Sequence, residues 1–378
     1  MTAEELTPEA RKRSPLSKAC WVGAGALVLF VGGMLAYGIA VPIEGKLYCT
    51  QDTGPSGGGL LARARRAIAS RGIRFNALPS FDAAPSPDGT RWVWSAQEWG
   101  DPWVTSAEIR MGAVNGRGAI SLSAAAGLSG INCHPRWSPD GKMIAFRHVD
   151  VSRAKQRAPC RAGFQLWVMD VDGSNVRQIR PEDIPDASLA TWSTPVLDWS
   201  PDGSRLLAYA GRMDKDGHAF TTDLSGSEVR LLPEVGIDAV YSPDGTRIAS
   251  SVQEKGTADG QPGVWRRLVI TDADGRSPRI VVEQFLPDAG MTSQFPKPED
   301  ASYDPHYDWQ MNARYWAGPR HPQWSPSGDM IAFLGALPFD PAGGVGEQVD
   351  LWLVDLDDGS LLNVTDDDVW QTALRWCK

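Results

Sequence analysis

One short pattern recurs along this chain and limits its fold more than any other feature. It reads SPDGTRWVWS at Ser86, WSPDGKMIAF at Trp137, WSPDGSRLLAY at Trp199, YSPDGTRIAS at Tyr241 and WSPSGDMIAF at Trp324. In each copy Pro sets φ near −65°, Asp or Ser tolerates turn geometry and Gly supplies a positive φ, so the chain reverses sharply. Apolar runs lead into and out of every turn, as paired strands require. A second unit follows each copy and turns near Gly116, Gly173, Gly226, Gly275 and Gly359. It reverses a third strand into a fourth. Four short antiparallel strands in a repeat of roughly 40 residues are the build of one propeller blade. The expected fold is therefore an all-β propeller with four-stranded antiparallel blades.

Particular residues have structural roles in this reading. Gly89, Gly141, Gly203, Gly245 and Gly328 are the positive-φ turn residues. Trp137, Trp199, Tyr241, Trp324 and Trp376 occupy the aromatic position before the turn and are expected to pack between neighbouring blades. That recurrence accounts for much of an unusual total of 16 Trp. The turn glycines are spaced by 52, 62, 42 and 83 residues, so the last gap holds one ordinary repeat plus an insertion at about 284–319. After Trp376 the chain ends, and a further blade begins there without finishing. Lys46–Cys49 and Gly72–Leu78 can supply its missing strands if the chain ends share a blade, which removes exposed sheet edges.

WSPDGKMIAF followed by QLWVMDVDGSNVRQI resembles the repeat of the TolB-like propellers, a WD-type family. The resemblance covers about residues 81–376 and is specific for fold, much less so for function. It implies six blades, with five as the alternative, and a bacterial source. Prolyl-oligopeptidase-like peptidases use a related propeller, but they need a further α/β-hydrolase domain, and here the chain stops at Lys378.

The N-terminus sets the expected compartment. Residues 1–18 are polar and include Arg11, Lys12, Arg13 and Lys18; Ala19 to Val41 carry no charge over 23 residues. A bilayer core of about 30 Å needs about 20 apolar residues in a helix. Cations before the run place the first residues in the cytoplasm and the rest outside it. The expectation is a single-pass anchor in a bacterial cytoplasmic membrane, carrying a periplasmic or extracellular propeller over 81–378. The rival is a signal peptide cleaved after Ala40, although the run is long for a signal core. Residues 42–80 read as a linker with closing strands and a short basic helix, Leu60–Ser70, that is either solvated or set against lipid headgroups.

Cys49, Cys133, Cys160 and Cys377 all follow the apolar run, in what would be an oxidising compartment. The expected pairs are Cys133 with Cys160 and Cys49 with Cys377; buried free thiols are the alternative. The spacings match no zinc pattern. Asp170-Val-Asp172-Gly173, Asp272-Ala-Asp274-Gly275 and Asp355-Leu-Asp357-Asp358 place carboxylates at alternate positions but lack the further ligands of a calcium loop. Asp-Gly hairpin turns explain them better. SPDG also lacks the spacing of the sialidase Asp-box. Ser56 sits in a match to G-x-S-x-G, but its Gly-rich flanks do not make the strand and helix a nucleophile elbow needs. His134 and His321 both precede Pro at equivalent repeat positions, which favours a structural role near the inner strands over metal binding. No catalytic residue, metal or cofactor is expected.

A net charge of −9 without a basic cluster beyond the N-terminus argues against nucleic acid. The insertion is rich in aromatics: Phe295, Tyr303, Tyr307, Trp309, Tyr315 and Trp316. Such side chains dominate binding hot spots, and loops on rigid scaffolds carry function. The insertion reads as a flap gripping a protein or peptide partner, or as a long loop packed back on the blades. The expected function is a non-enzymatic binding or scaffold module. The alternatives are a propeller-face enzyme, such as a polysaccharide lyase or hydrolase, and a ligand sensor.

Overall fold

The computed structural model describes residues 46–51, 73–75, 82–99, 104–113, 117–149, 165–182, 184, 197–210, 217–287, 318–336, 349–365 and 371–377. These residues belong to one compact unit, Ile43–Lys378. Their regular structure is almost entirely strand. Two strands come first, β1 (Lys46–Gln51) and β2 (Ile73–Phe75). The first four-stranded unit then comprises β3 (Ala84–Pro85), β4 (Arg91–Trp99), β5 (Val104–Ala113) and β6 (Ile120–Ser121). A single-turn helix, α1 (Leu122–Ala125), follows, capped by the Ser121 hydroxyl. The second unit is β7 (Ile131–Trp137), β8 (Met143–Val149), β9 (Gln165–Asp170) and β10 (Arg177–Ile179). The third is β11 (Leu197–Trp199), β12 (Arg205–Ala210), β13 (His218–Asp223) and β14 (Val229–Leu232). The fourth is β15 (Ile237–Tyr241), β16 (Arg247–Ala258), β17 (Gln261–Asp272) and β18 (Arg279–Pro287). The fifth is β19 (Arg320–Trp324), β20 (Met330–Gly335), β21 (Asp350–Asp355) and β22 (Leu361–Asn363), and β23 (Gln371–Cys377) comes last.

Within each unit the strands pair antiparallel in chain order. A single parallel bridge, Ala107 to Ile131, fuses the first two units into one eight-stranded sheet. The chain ends meet: β1 pairs antiparallel with β23 from Lys46–Cys377 to Gln51–Gln371, and β2 adds to β1 in parallel. This three-stranded sheet departs from the four-stranded antiparallel pattern. The first strands of successive units are neighbours in a cycle, β3 to β7, β11, β15, β19, β23 and back to β3. That cyclic order is the architecture of a β-propeller.

The core lies between the sheets, and the sequence shows why. A strand covered on both faces reads as a continuous apolar run, not an alternation. Ile144–Phe146 in β8, Leu206–Ala208 in β12 and Ile331–Phe333 in β20 are all buried. At about 25 cal/mol per Å2, burying each such side chain contributes roughly 1.5–3 kcal/mol before entropy is counted.

The repeated turns are held identically. In the first, the Gly89 amide donates to the Ser86 carbonyl at 2.8 Å, and the Ser86 amide donates to the Arg91 carbonyl at 2.8 Å. The Ser86 hydroxyl donates to Asp88 at 2.6 Å and accepts from the Arg91 amide at 3.0 Å. The same bonds recur around Ser138, Ser200 and Ser242, and Asp329 takes the acceptor role in the SPSG copy. The five turn glycines have φ between +66° and +77°. Four of them, Gly141, Gly203, Gly245 and Gly328, lie against the Pro of the preceding turn, so the turns stack around one face.

Several expectations need correction. Cys133 is a free thiol buried in β7 among Ala107, Ile131 and Ala145, so it makes no bond to Cys160. Burial pushes its pKa far up, and such a thiol is inert. The β1–β23 register sets Cys49 opposite Leu374 and Cys377 opposite Lys46. That three-residue offset is about 10 Å along the strands, beyond the roughly 7 Å that a disulfide spans. The insertion begins later than 284, because Gln284–Pro287 continue β18 against Arg266–Gly263 of β17. Among the described residues, no helix is long and apolar enough to cross a membrane. The apolar run 19–41, the segment 60–70, Ser56 and Cys160 lie outside the described residues.

Candidate functional site

The repeated aromatics tie each unit to the one before it. The Trp137 indole N–H donates to the Ala84 carbonyl at 3.1 Å, Trp199 to Arg136 at 3.1 Å, and Trp324 to Val240 at 3.3 Å. Each acceptor lies on the first strand of the preceding unit. Tyr241 has no indole N–H; its backbone amide donates instead to the Asp198 carboxylate of the third unit, at 3.0 Å. Trp376 falls in β23, whose side chains are outside the described set.

A second tie lies four residues before the turn Ser in four of the five repeats. Asp82, His134, Asp238 and His321 share this repeat position. His134, Asp238 and His321 sit in β-bulges with φ of 55°, 56° and 51°. Such left-handed geometry suits Asp and His better than branched residues. Asp82 accepts from the His134 amide at 2.8 Å and from the Ser95 amide at 3.1 Å, and also from the Ser95 hydroxyl. Asp238 accepts from the His321 amide at 3.3 Å and from the Arg320 Nε at 2.7 Å. The imidazoles lie against the same carboxylates, at 3.8 Å for His134 and 3.6 Å for His321. An aspartate of the first unit thus locks the bulge of the second, and one of the fourth locks that of the fifth.

The electrostatics follow from burial. Burial alone raises both carboxylates, but the facing charges and hydrogen bonds outweigh it. His134 and Ser95 do so at Asp82, and Arg320 and His321 at Asp238. Both therefore lie below the ordinary carboxylate range. The buried guanidinium comes from different strands in the two places. Arg320 faces Leu334 across the β19–β20 pair, whereas in the second unit Arg147 of β8 faces Cys133. Burial lowers Arg147 to about 10.

Chemically this arrangement is a fastening. Ser95, Asp82 and His134 contain the residue types of a hydrolase triad, but Ser95 donates to the carboxylate and not to an imidazole. A nucleophile needs its hydroxyl proton taken by a base, with the acid behind the base. All three are buried. Among the described residues no group of three or more His, Cys, Asp or Glu is placed to hold a metal ion. The acidic turns serve their own backbone: Asp172 accepts from the Ser174 amide at 2.9 Å, and Asp170 from the Asn175 side chain at 2.6 Å.

Open space lies beside these ties. A cleft of about 600 Å3 lies between the third and fourth units on the tight-turn face; Asp202, Arg205, Arg230, Leu231, Tyr241 and Asp244 are among its walls. A smaller one of about 230 Å3 lies between the same units, lined by Tyr209, Glu234, Val235, Ser251 and Gln253. The aromatic set Phe295, Tyr303, Tyr307, Trp309, Tyr315 and Trp316 lies outside the described residues. The aspartates were missed from sequence. The signal was present, because Asp82 and Asp238 occupy the position that His134 and His321 fill in the following repeats.

No protein-family profile matches the chain, and no curated protein matches it. Solved structures do resemble it. TolB from Acinetobacter baumannii aligns at 17% identity and a TM-score of 0.43, over 74% of this chain and 54% of that one. The chain thus spans about half the length of that relative. A TolB from Agrobacterium tumefaciens aligns at 18% identity and a TM-score of 0.43, over 78% of this chain and 89% of that one. An oligogalacturonate lyase in complex with manganese aligns at 15% identity and a TM-score of 0.39, over 72% and 63%.

Proposed function

We propose that this chain is a six-bladed β-propeller acting as a non-enzymatic binding or scaffold module for a protein or peptide partner. In this reading the apolar segment 19–41 holds it at the outer face of a bacterial cytoplasmic membrane. The count of six takes the five four-stranded units with the sheet β2–β1–β23, whose inner strand completes the cycle between β19 and β3.

The observation that carries the binding reading is the inequality of the two faces. First strands run into the SPDG turns, second strands run away from them, and third strands return to the tight Gly turns. The SPDG-type turns and the Gly turns that end the third strands therefore gather on one face. The segments 100–103, 150–164, 211–216, 288–317 and 337–348 all join strand ends on the opposite face. So does the β16–β17 hairpin, whose strands are 12 residues each, twice the length of β12 and β13. A rigid scaffold with its long connections on one side presents that side to partners. The buried Asp and His pairs of the inner strands are engaged in holding units together, which leaves recognition to these connections.

Cross-linking in intact membranes, followed by purification of the full chain, tests the proposal. An in-frame deletion of 288–317 is the matched control. The expected result is a protein cross-linked to the full chain and lost from a deletion variant that still melts cooperatively. Equal recovery from both chains would refute the reading.

A further inference from the structure

Two junctions between units share a ring contact that the junction of the third and fourth units lacks. At two junctions the residue two places after the turn glycine stacks on the aromatic of the next unit. Arg91 stacks over Trp137 at 5.1 Å, and Arg247 over Trp324 at 4.6 Å. Met143 packs into the cluster that holds Trp199. Between the third and fourth units the aromatic is Tyr241, smaller than Trp. The matching Arg205 turns aside to Glu228, donating to its carboxylate and, at 3.1 Å, to its carbonyl. Among the described residues no cation–ring contact joins Arg205 to Tyr241, and the cleft of about 600 Å3 lies at this junction.

The walls are charged in a pattern. Asp202 and Asp244 project from the two SPDG turns on the inner side, and hydrogen bonds from Ser200 and Ser242 lower both pKa values, so both stay ionised. Arg230 on β14 and Arg276 in the next turn lie on the outer side, with Asp274 at 3.8 Å from Arg276. Arg230 makes no ion pair with any described residue. Leu231, 59% exposed, supplies an apolar wall. The Tyr241 hydroxyl is protonated at neutral pH, as phenols are, and burial raises its pKa further, to about 12, so it can donate. The lining carries three Arg and three Asp, Arg205 and Asp274 included, and is neutral overall. A neutral site with separated charges favours neither a polyanion nor a polycation.

We propose that this cleft is a second binding site, on the face opposite the long connections, for a short peptide segment of mixed charge. The peptide's cationic side chain lies inward against Asp202 and Asp244, and its carboxylate lies outward on Arg230. Its backbone crosses Leu231 and the Tyr241 hydroxyl. The site is independent of the partner face described above.

Calorimetric titration of the detergent-solubilised full chain tests this. The probe is a tetrapeptide blocked at both ends, with lysine first and glutamate last; the control carries glutamine at both places. The charged probe is expected to bind, and the control to bind at least roughly tenfold more weakly, as losing charge-assisted hydrogen bonds requires. Arg230→Ala, at an exposed side chain, is expected to weaken the probe by a similar factor. Tyr241→Trp restores the aromatic of the other junctions; it is expected to abolish binding while the melting temperature holds or rises. The proposal is overturned if the charged peptide binds no better than its control, if inorganic phosphate competes fully, or if binding survives in the folded Tyr241→Trp protein.

Discussion

Replacing Asp238 by Asn tests the fastening of the fourth unit to the fifth. Asp238 and Arg320 are 1% and 0% exposed, and their bond is 2.7 Å. The substitution keeps the shape and removes the charge. It leaves Arg320 buried opposite a neutral amide, and the His321 amide facing a weaker acceptor. Taking one partner from a buried pair costs about 3–5 kcal/mol, mostly as the penalty on the charge left behind. With a urea slope of about 3 kcal/mol per M, the unfolding midpoint falls by about 1–1.7 M. The double variant with Arg320→Leu removes that stranded charge and places Leu beside Leu334. It is expected to be more stable than Asp238→Asn alone, since apolar replacement of a buried pair is often nearly neutral. Equilibrium urea unfolding of the four proteins gives the coupling energy directly. A loss under about 1 kcal/mol for Asp238→Asn, or a double variant whose losses simply add, would refute the pairing.

Other outcomes follow from the same contacts. Trp199→Phe removes the indole donor to the Arg136 carbonyl and opens a small void, so urea unfolding should show a loss of about 1–3 kcal/mol. Gly245→Ala places a Cβ at φ +74° and should lose about 1–2 kcal/mol by the same assay, with Gly245→Asn losing less. Asp82 and Asp238 titrate below the usual carboxylate range, so their contribution is complete above about pH 4. It is lost as pH falls through the lower folded values. Thermal melts should hold from pH 5 to 7 and drop below pH 4, less steeply in the Asp82→Asn protein.

Turn chemistry made the fold legible in the sequence. Ser, Pro, Asp and Gly each have one physical task in the tight turn, and five copies set the strand order of five units. The segments near Lys46 and Gly72 follow from the unfinished repeat at Trp376, and β1 and β2 are the strands found beside β23. The disulfides were misjudged because chain-end proximity does not fix register, and a three-residue slip separates Cys49 from Cys377. The aspartate fastenings were hidden for a related reason. Asp82 and His134 are 52 residues apart in sequence, and the bulge that joins them appears only when neighbouring units are in contact. The open junction at Tyr241 was in view as a Trp-to-Tyr change. Its consequence depends on where Arg205 points, which sequence does not specify.

Ring closure by the two chain ends underlies the whole fold. Amide hydrogen exchange on the full chain, beside a variant ending at residue 370, measures it most directly. Amides of residues 46–51 should be protected in the full chain and exchange freely once β23 is removed. Protection of 46–51 that is unchanged without β23, or absent in the full chain, would contradict it.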